Sequence, residues 1–137
     1  MSSAVGVGGG PLAVEASVDV LRDVLDAFNR HDLDAIMSYF SDDCVFESPR
    51  GPDRWGSRFV GGEEVRRGLA QRFEGIPDVH YGDDDHFVCG NRGVSEWTIC
   101  GTTVEGARIE VRGCDLWTFG VEGKIIRKDS FWKIREL

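Results

Sequence analysis

No apolar run in this sequence approaches the roughly 20 residues that a membrane-crossing helix needs. Basic residues are in deficit, with 16 Lys and Arg against 24 Asp and Glu, for a net charge of −8. Phosphate backbones are held by concentrated Lys and Arg, so neither nucleic acid nor a membrane is expected as a partner. Cys44, Cys89, Cys100 and Cys114 form no C-x-x-C pair and no finger spacing, and His31, His80 and His86 fall in no H-E-x-x-H pattern. No metal and no cofactor are therefore expected, and reduced thiols suit a cytoplasmic protein. The opening MSSAVGVGGGPLAVEAS has neither a charged start nor a sustained apolar core. It reads as a flexible leader over residues 1–14 rather than a signal peptide.

What is present fits one domain over residues 15–137. A hydrophobic share of 41% and a charged share of 29% are ordinary for a globular chain of 137 residues. Val20, Val24, Ala27 and Phe28 recur at helical spacing and predict a helix over 15–29. Asp32 looks like the N-cap of a short helix over 33–40, which carries Leu33, Ile36, Met37 and Phe40 inward. A third helix is predicted over 62–74, with Glu63 and Glu64 in its first turn and Val65, Leu69 and Phe73 on its apolar face. Between the last two, residues 44–48 read as a short strand. Residues 49–62, rich in Pro, Gly and Arg, read as a loop with Trp55 at its middle. Trp55 is either a lid over a pocket or a plug at the rim of the core. Strands follow over 79–81, 86–89, 94–102, 108–119 and 124–134, punctuated by Gly-rich or acidic turns. The run Asp83-Asp84-Asp85 reads as a solvated turn, because no further ligands stand at calcium-loop spacing.

The most informative stretch is RGCDLWTFGVEGKIIRKDSFWK, Arg112 to Lys133. Alternation places Asp115, Trp117 and Phe119 on one face of a strand and Cys114, Leu116 and Thr118 on the other. A carboxylate among aromatics is desolvated if that face is buried, which raises its pKa and suits proton handling. The plain alternative is an Asp paired with a basic neighbour, Lys128 or Arg112. A four-residue connector, Gly120 to Gly123, sets Lys128 opposite Asp115 with Ser130 and Trp132 on the same face. A three-residue loop would instead turn Asp129 and Phe131 inward.

The order of elements resembles that of the nuclear-transport-factor-2-like superfamily, in its SnoaL-like and ketosteroid-isomerase-like branch. The resemblance rests on AFNRHDLDAIMSYFSDDCVFESP, the turn at Gly101-Thr102, and GCDLWTFGVEGKI, and it covers residues 16–134. It implies an α+β, cone-shaped fold: three N-terminal helices on a strongly curved, mainly antiparallel sheet that encloses a pocket. Ketosteroid isomerases have an Asp at the position matching Asp115. They place a general-base Asp where Ser48 stands here and a tyrosine near Val24. Epoxide hydrolases of the limonene type use an Asp-Arg-Asp set. Two of its positions here hold Glu96 and Thr98, and the third lies near Asp129 or Ser130. SnoaL-like polyketide cyclases, which bind a polyaromatic precursor and move a proton to close a ring, are the third comparison.

The resemblance thus implies a small-molecule pocket with Glu96, Thr98 and Cys100 inside and Trp97 packed outside. Its lining would add Phe46, Ser48, Trp55, Trp117, Phe119, Lys128, Ser130 and Trp132. As an enzyme, a cyclase or isomerase would set Asp115 and Glu96, with Asp129 in reserve, to acid–base work on a flat apolar polyketide, steroid or terpenoid. A limonene-type epoxide hydrolase is a further possibility. The contrasting class is a non-catalytic ligand-binding or dimerisation module of the same fold. Both faces of the sheet carry apolar residues beyond what three short helices cover, so a homodimer through the outer face is expected.

Overall fold

The structure, a computed structural model, describes residues 15–136; the expected leader lies outside the described residues. Helix α1, Val18–Asn29, begins where Ser17 Oγ accepts the Val20 N–H at 3.3 Å, and it buries Leu21, Val24, Leu25 and Phe28 at the spacing of one helical face. Helix α2, Leu33–Met37, is capped by Asp32, whose side chain accepts from the Ala35 N–H at 3.0 Å. It stops short of Phe40, which is already extended and pairs with Ile125. No described helix is long and apolar enough to cross a membrane.

Strand β1, Phe40–Asp53, runs well past the five residues expected of it and turns back as β2, Gly56–Val60. The segment read as a loop is therefore a hairpin. Pro49, Gly51 and Pro52 read as breakers, but they lie beyond Glu47↔Asp129, where the pairing of β1 with its other neighbour ends. Gly56, at φ 84, makes the tight turn. Trp55 sits in that turn, 37% exposed, with the Arg58 guanidinium 4.3 Å from its ring centre. Helix α3, Gly62–Gly75, follows and buries Val65 and Leu69.

The rest of the chain is a meander: β3, His80–Cys89; β4, Arg92–Thr102; β5, Arg108–Phe119; and β6, Ile125–Trp132. The acidic run is an irregularity inside β3, with Asp83 at φ 49, and not a turn between two strands. The six strands form one sheet in the order β2-β1-β6-β5-β4-β3. Only the β1–β6 pairing is parallel; the others are antiparallel. Helix α1 packs on β3 and β4, and α3 on β1 and β2. The inner face of the sheet carries the core, including Trp97, Ile99, Trp117 and Phe119. This is the expected α+β architecture.

Two substitutions test how the frame holds the inner face. Gly113, on β5, is opposite Trp97 in the register, and a Cβ there would lie 2.4 Å from both the Trp97 ring and the Phe131 carbonyl. Gly113→Ala is expected to cost roughly 1–3 kcal/mol by overpacking, read from urea unfolding. Trp55→Ala is expected to cost only about 0.5–1 kcal/mol, the worth of its exposed stacking on Arg58. A loss near the roughly 3–5 kcal/mol of a buried Trp would contradict its placement in the hairpin turn.

Candidate functional site

Register brings the polar floor of the site together. Asp115 on β5 pairs with Ser130 on β6 and with Ser95 on β4, and Trp117 pairs with Lys128. Lys128, Ser130 and Trp132 therefore share the expected inner face with Asp115, but the connector is five residues, Gly120–Lys124, and a bulge at Thr118–Phe119 restores the face. Lys128 stands two pairs along the ladder from Asp115, not opposite it, and reaches it diagonally. Its Nζ donates to Asp115 Oδ1 at 2.8 Å and to Ser130 Oγ at 2.6 Å. Ser130 Oγ in turn donates to Asp115 Oδ1, and Trp97 Nε1–H donates to Oδ2 at 3.0 Å. Both carboxylate oxygens are thus occupied by donors.

The ion pair is enclosed: Asp115 is 3% exposed and Lys128 5%. Three rings surround the amine, with centres 5.0 Å away for Phe46, 5.3 Å for Phe28 and 5.5 Å for Trp117. Burial pushes the Lys128 amine below the usual lysine value; attraction to Asp115 opposes this, and the positive charge of Arg72 adds to it. Burial likewise raises the Tyr81 phenol, against the influence of Arg72.

Above this floor is a shallow cavity lined by Phe46, Arg72, Trp97, Lys128, Ser130 and Trp132, closed in by Phe28, Pro49, Leu69 and Tyr81. Its enclosed part is about 10 Å³, room for about one water molecule. Counted with the space open to solvent, it holds about 280 Å³. The lining contains no carboxylate: Asp115 lies behind Lys128 and Ser130 and does not face the cavity. Arg72, on the last turn of α3, has its guanidinium 4.3 Å from the Trp132 ring centre.

Several expected site residues are elsewhere. Glu96, Thr98 and Cys100 point to the outer face of the sheet, because Ser95, Trp97 and Ile99 are the buried set on β4. Trp97 is inside, contrary to expectation. Asp129 also faces outward, beside Arg127, and its carboxyl is raised by burial and by nearby Glu47. Ser48 bonds to the Arg50 carbonyl and does not line the cavity, and neither does Trp55. Trp117 and Phe119 are core, behind the lining. Arg72 and Tyr81 were missed. Arg72 follows Leu69 by three, at the border of the apolar face of α3, and Tyr81 is a buried residue of a strand whose period the Asp run hides.

Two further polar networks lie outside the cavity. Trp117 Nε1–H donates to Ser95 Oγ at 2.9 Å, which contacts His86 Nδ1 at 2.8 Å, and His86 Nε2 contacts Asp84 at 2.8 Å. The His86 contact holds Asp84 below the usual carboxylate range. On the outer face, fully buried Glu47 is bridged by Arg58, at 2.6 Å, and by Arg127. No group of three or more His, Cys, Asp or Glu side chains suited to a metal ion occurs among the described residues. All four cysteines are unpaired.

Comparison with known proteins agrees with this fold. A model of the SnoaL-like domain matches residues 21–128. No curated relative matches the sequence. Among solved structures, a candidate polyketide cyclase from Pseudomonas putida KT2440 superposes with a TM-score of 0.76 at 17% identity, covering 87% of this chain and 92% of that one. Another from Xanthomonas campestris pv. campestris gives 0.73 at 18%, covering 84% and 88%. TerC, co-crystallized with polyporic acid, gives 0.72 at 19%, covering 85% and 90%. At such identities the superpositions establish the fold alone. The family match spans most of the chain and carries the assignment: this protein belongs to the SnoaL-like domain family, of the nuclear-transport-factor-2-like fold.

Proposed function

We propose that this is a small-molecule pocket protein performing acid–base chemistry on a flat, apolar, carbonyl-bearing ligand, in the manner of a cyclase or isomerase. The observation that carries the reading is the buried Lys128–Asp115–Ser130 cluster beneath an aromatic cavity, with Lys128 and not Asp115 facing the ligand space. That a protein of this fold was co-crystallized with polyporic acid supports an organic ligand.

The chemistry follows from the two protonation states of the pair. With the proton on nitrogen, the ammonium donates to a carbonyl oxygen of the ligand and stabilises negative charge developing there. With the proton passed through Ser130 to Asp115, the neutral amine accepts a proton from carbon next to the carbonyl. The amine returns it at a different carbon, or after a new bond has formed, so no external reagent is consumed. Burial makes the neutral amine accessible by lowering its pKa. Asp115 then acts as the positioning partner of Lys128. The limonene-type epoxide hydrolase reading has no assembled residue set here, since Glu96, Thr98 and Asp129 face away from the cavity. The non-catalytic module is the second reading, favoured by the small enclosed volume and by the absence of a lining carboxylate. Unpaired cysteines suit a reducing, cytoplasmic setting.

Deuterium exchange at the carbon next to the carbonyl of a flat ketone such as 2-tetralone, followed by proton NMR, tests the chemistry. Protein-dependent exchange is expected, rising with pH to a plateau whose midpoint lies below the ordinary lysine value. It should vanish in Lys128→Met and persist, slowed, in Ser130→Ala. Binding without exchange at any pH would leave the non-catalytic module as the better description.

We further propose a homodimer through the outer face of the sheet. There Leu116 and Val94 are only half-buried, and Phe131, from the neighbouring strand, is 48% exposed. Light scattering at micromolar concentration should give twice the chain mass, and Phe131→Glu should shift it to the monomer; a monomeric wild type overturns the proposal.

A further inference from the structure

One charge at the cavity takes no part in the proposed proton transfer. The guanidinium of Arg72 lines the cavity and stacks on Trp132, and it makes no ion pair with any carboxylate among the described residues. The other cation of the lining, Lys128, is compensated by Asp115. The lining thus holds two cations and no carboxylate. Even with Asp115 counted from behind, one positive charge is left over.

This occurs in a chain with a net charge of −8, where an uncompensated cation in a depression is against the overall balance. The cation lies across an indole, in a wall that also includes Phe46, Tyr81 and Trp97. A guanidinium presents paired N–H donors in a planar fork, which suits two acceptor oxygens on one group. Partial burial makes that charge count for more than it would in open water.

We infer that the ligand of this cavity is a flat aromatic anion, bearing a carboxylate or an acidic enol oxygen at one edge, and that Arg72 selects for the negative charge. The ring lies in the open part of the cavity against Trp132. The anionic edge meets Arg72, and a second oxygen is directed toward Lys128 and Ser130. This rests on the cavity being a ligand site, but it does not require that any reaction occur there.

The probes are 2-naphthoate and its neutral counterpart 2-naphthamide, titrated against the full chain by calorimetry and by quenching of tryptophan fluorescence. Naphthoate is expected to bind about tenfold more tightly, as one charge-assisted hydrogen-bonded contact provides. Arg72→Gln should remove the preference, weakening naphthoate binding by more than it changes naphthamide binding. Arg72→Lys keeps the charge without the fork and should retain only part of the preference. Thermal unfolding of each variant, compared with wild type, shows that the change is local. Equal binding of the two probes to wild type, or a preference that survives Arg72→Gln, overturns the inference while leaving the cavity a ligand site. Binding of neither probe, with no stabilisation on heating, overturns both the inference and the ligand-site reading beneath it.

Discussion

The buried ion pair between Lys128 and Asp115 constrains everything around it. Moving two charges out of water costs several kcal/mol each, so the pair persists only if its geometry and secondary partners are good. Ser130 takes one hydrogen bond from the amine and gives one to the carboxylate, Trp97 fills the other oxygen, and three rings flank the amine. Each condition fixes something larger. Ser130 is in place only if β5 and β6 keep their present register. Trp97 reaches Asp115 only if β4 keeps its phase and Gly113 leaves room for the indole. A slip of one residue in either pairing would carry the cluster's members to opposite faces and strand a charge in the core.

This also explains what could be read from the sequence and what could not. The face of Asp115 was legible, because alternation within Cys114–Phe119 is unbroken and Trp117 and Phe119 mark the apolar side. The face expected for Lys128 is the observed one, though not by the expected connector: five residues, Gly120–Lys124, separate the strands, and the bulge at Thr118–Phe119 restores the alternation. The phase of β4 did not follow. Residues Thr103–Ala107 separate it from β5, and in a loop that length a shift of one residue leaves the local pattern intact. The resemblance alone placed Glu96 inside and Trp97 outside, the reverse of the structure. The pairing Ser95↔Asp115 decides the matter, and it is a long-range fact absent from either strand alone.

The hairpin of β1 and β2 was obscured for a different reason. Pro and Gly are read as interruptions because a central strand needs every N–H. The distal half of β1 lies beyond its pairing with β6 and is hydrogen-bonded on one side only, so prolines cost it little. The same hairpin delivers Arg58 to Glu47. Together with Arg127 it neutralises an acid that is fully buried on the outer side of the sheet. The sheet therefore holds a compensated buried carboxylate on each face. They differ in access: the cations at Glu47 are half-exposed, whereas the cation at Asp115 is sealed except toward the cavity.

That difference is why the proposed chemistry is assigned to the inner face. A carboxylate whose partners are solvated arginines is held by charges that never lose their protons, so it can serve only as a structural anchor. A carboxylate whose partner is a buried lysine faces a cation that burial pushes below the usual lysine value, against the attraction of the carboxylate itself. The cavity is where a ligand would disturb that balance. An anionic edge near Arg72 and Lys128 favours the ammonium form, while an apolar body that expels the remaining water favours the neutral pair. The overall charge of −8 repels an anion at a distance, but salt screens this beyond about 8 Å. In the proposed reading, selection is therefore left to the few side chains in contact, and among the lining groups only Arg72 combines a permanent charge with no carboxylate partner among the described residues.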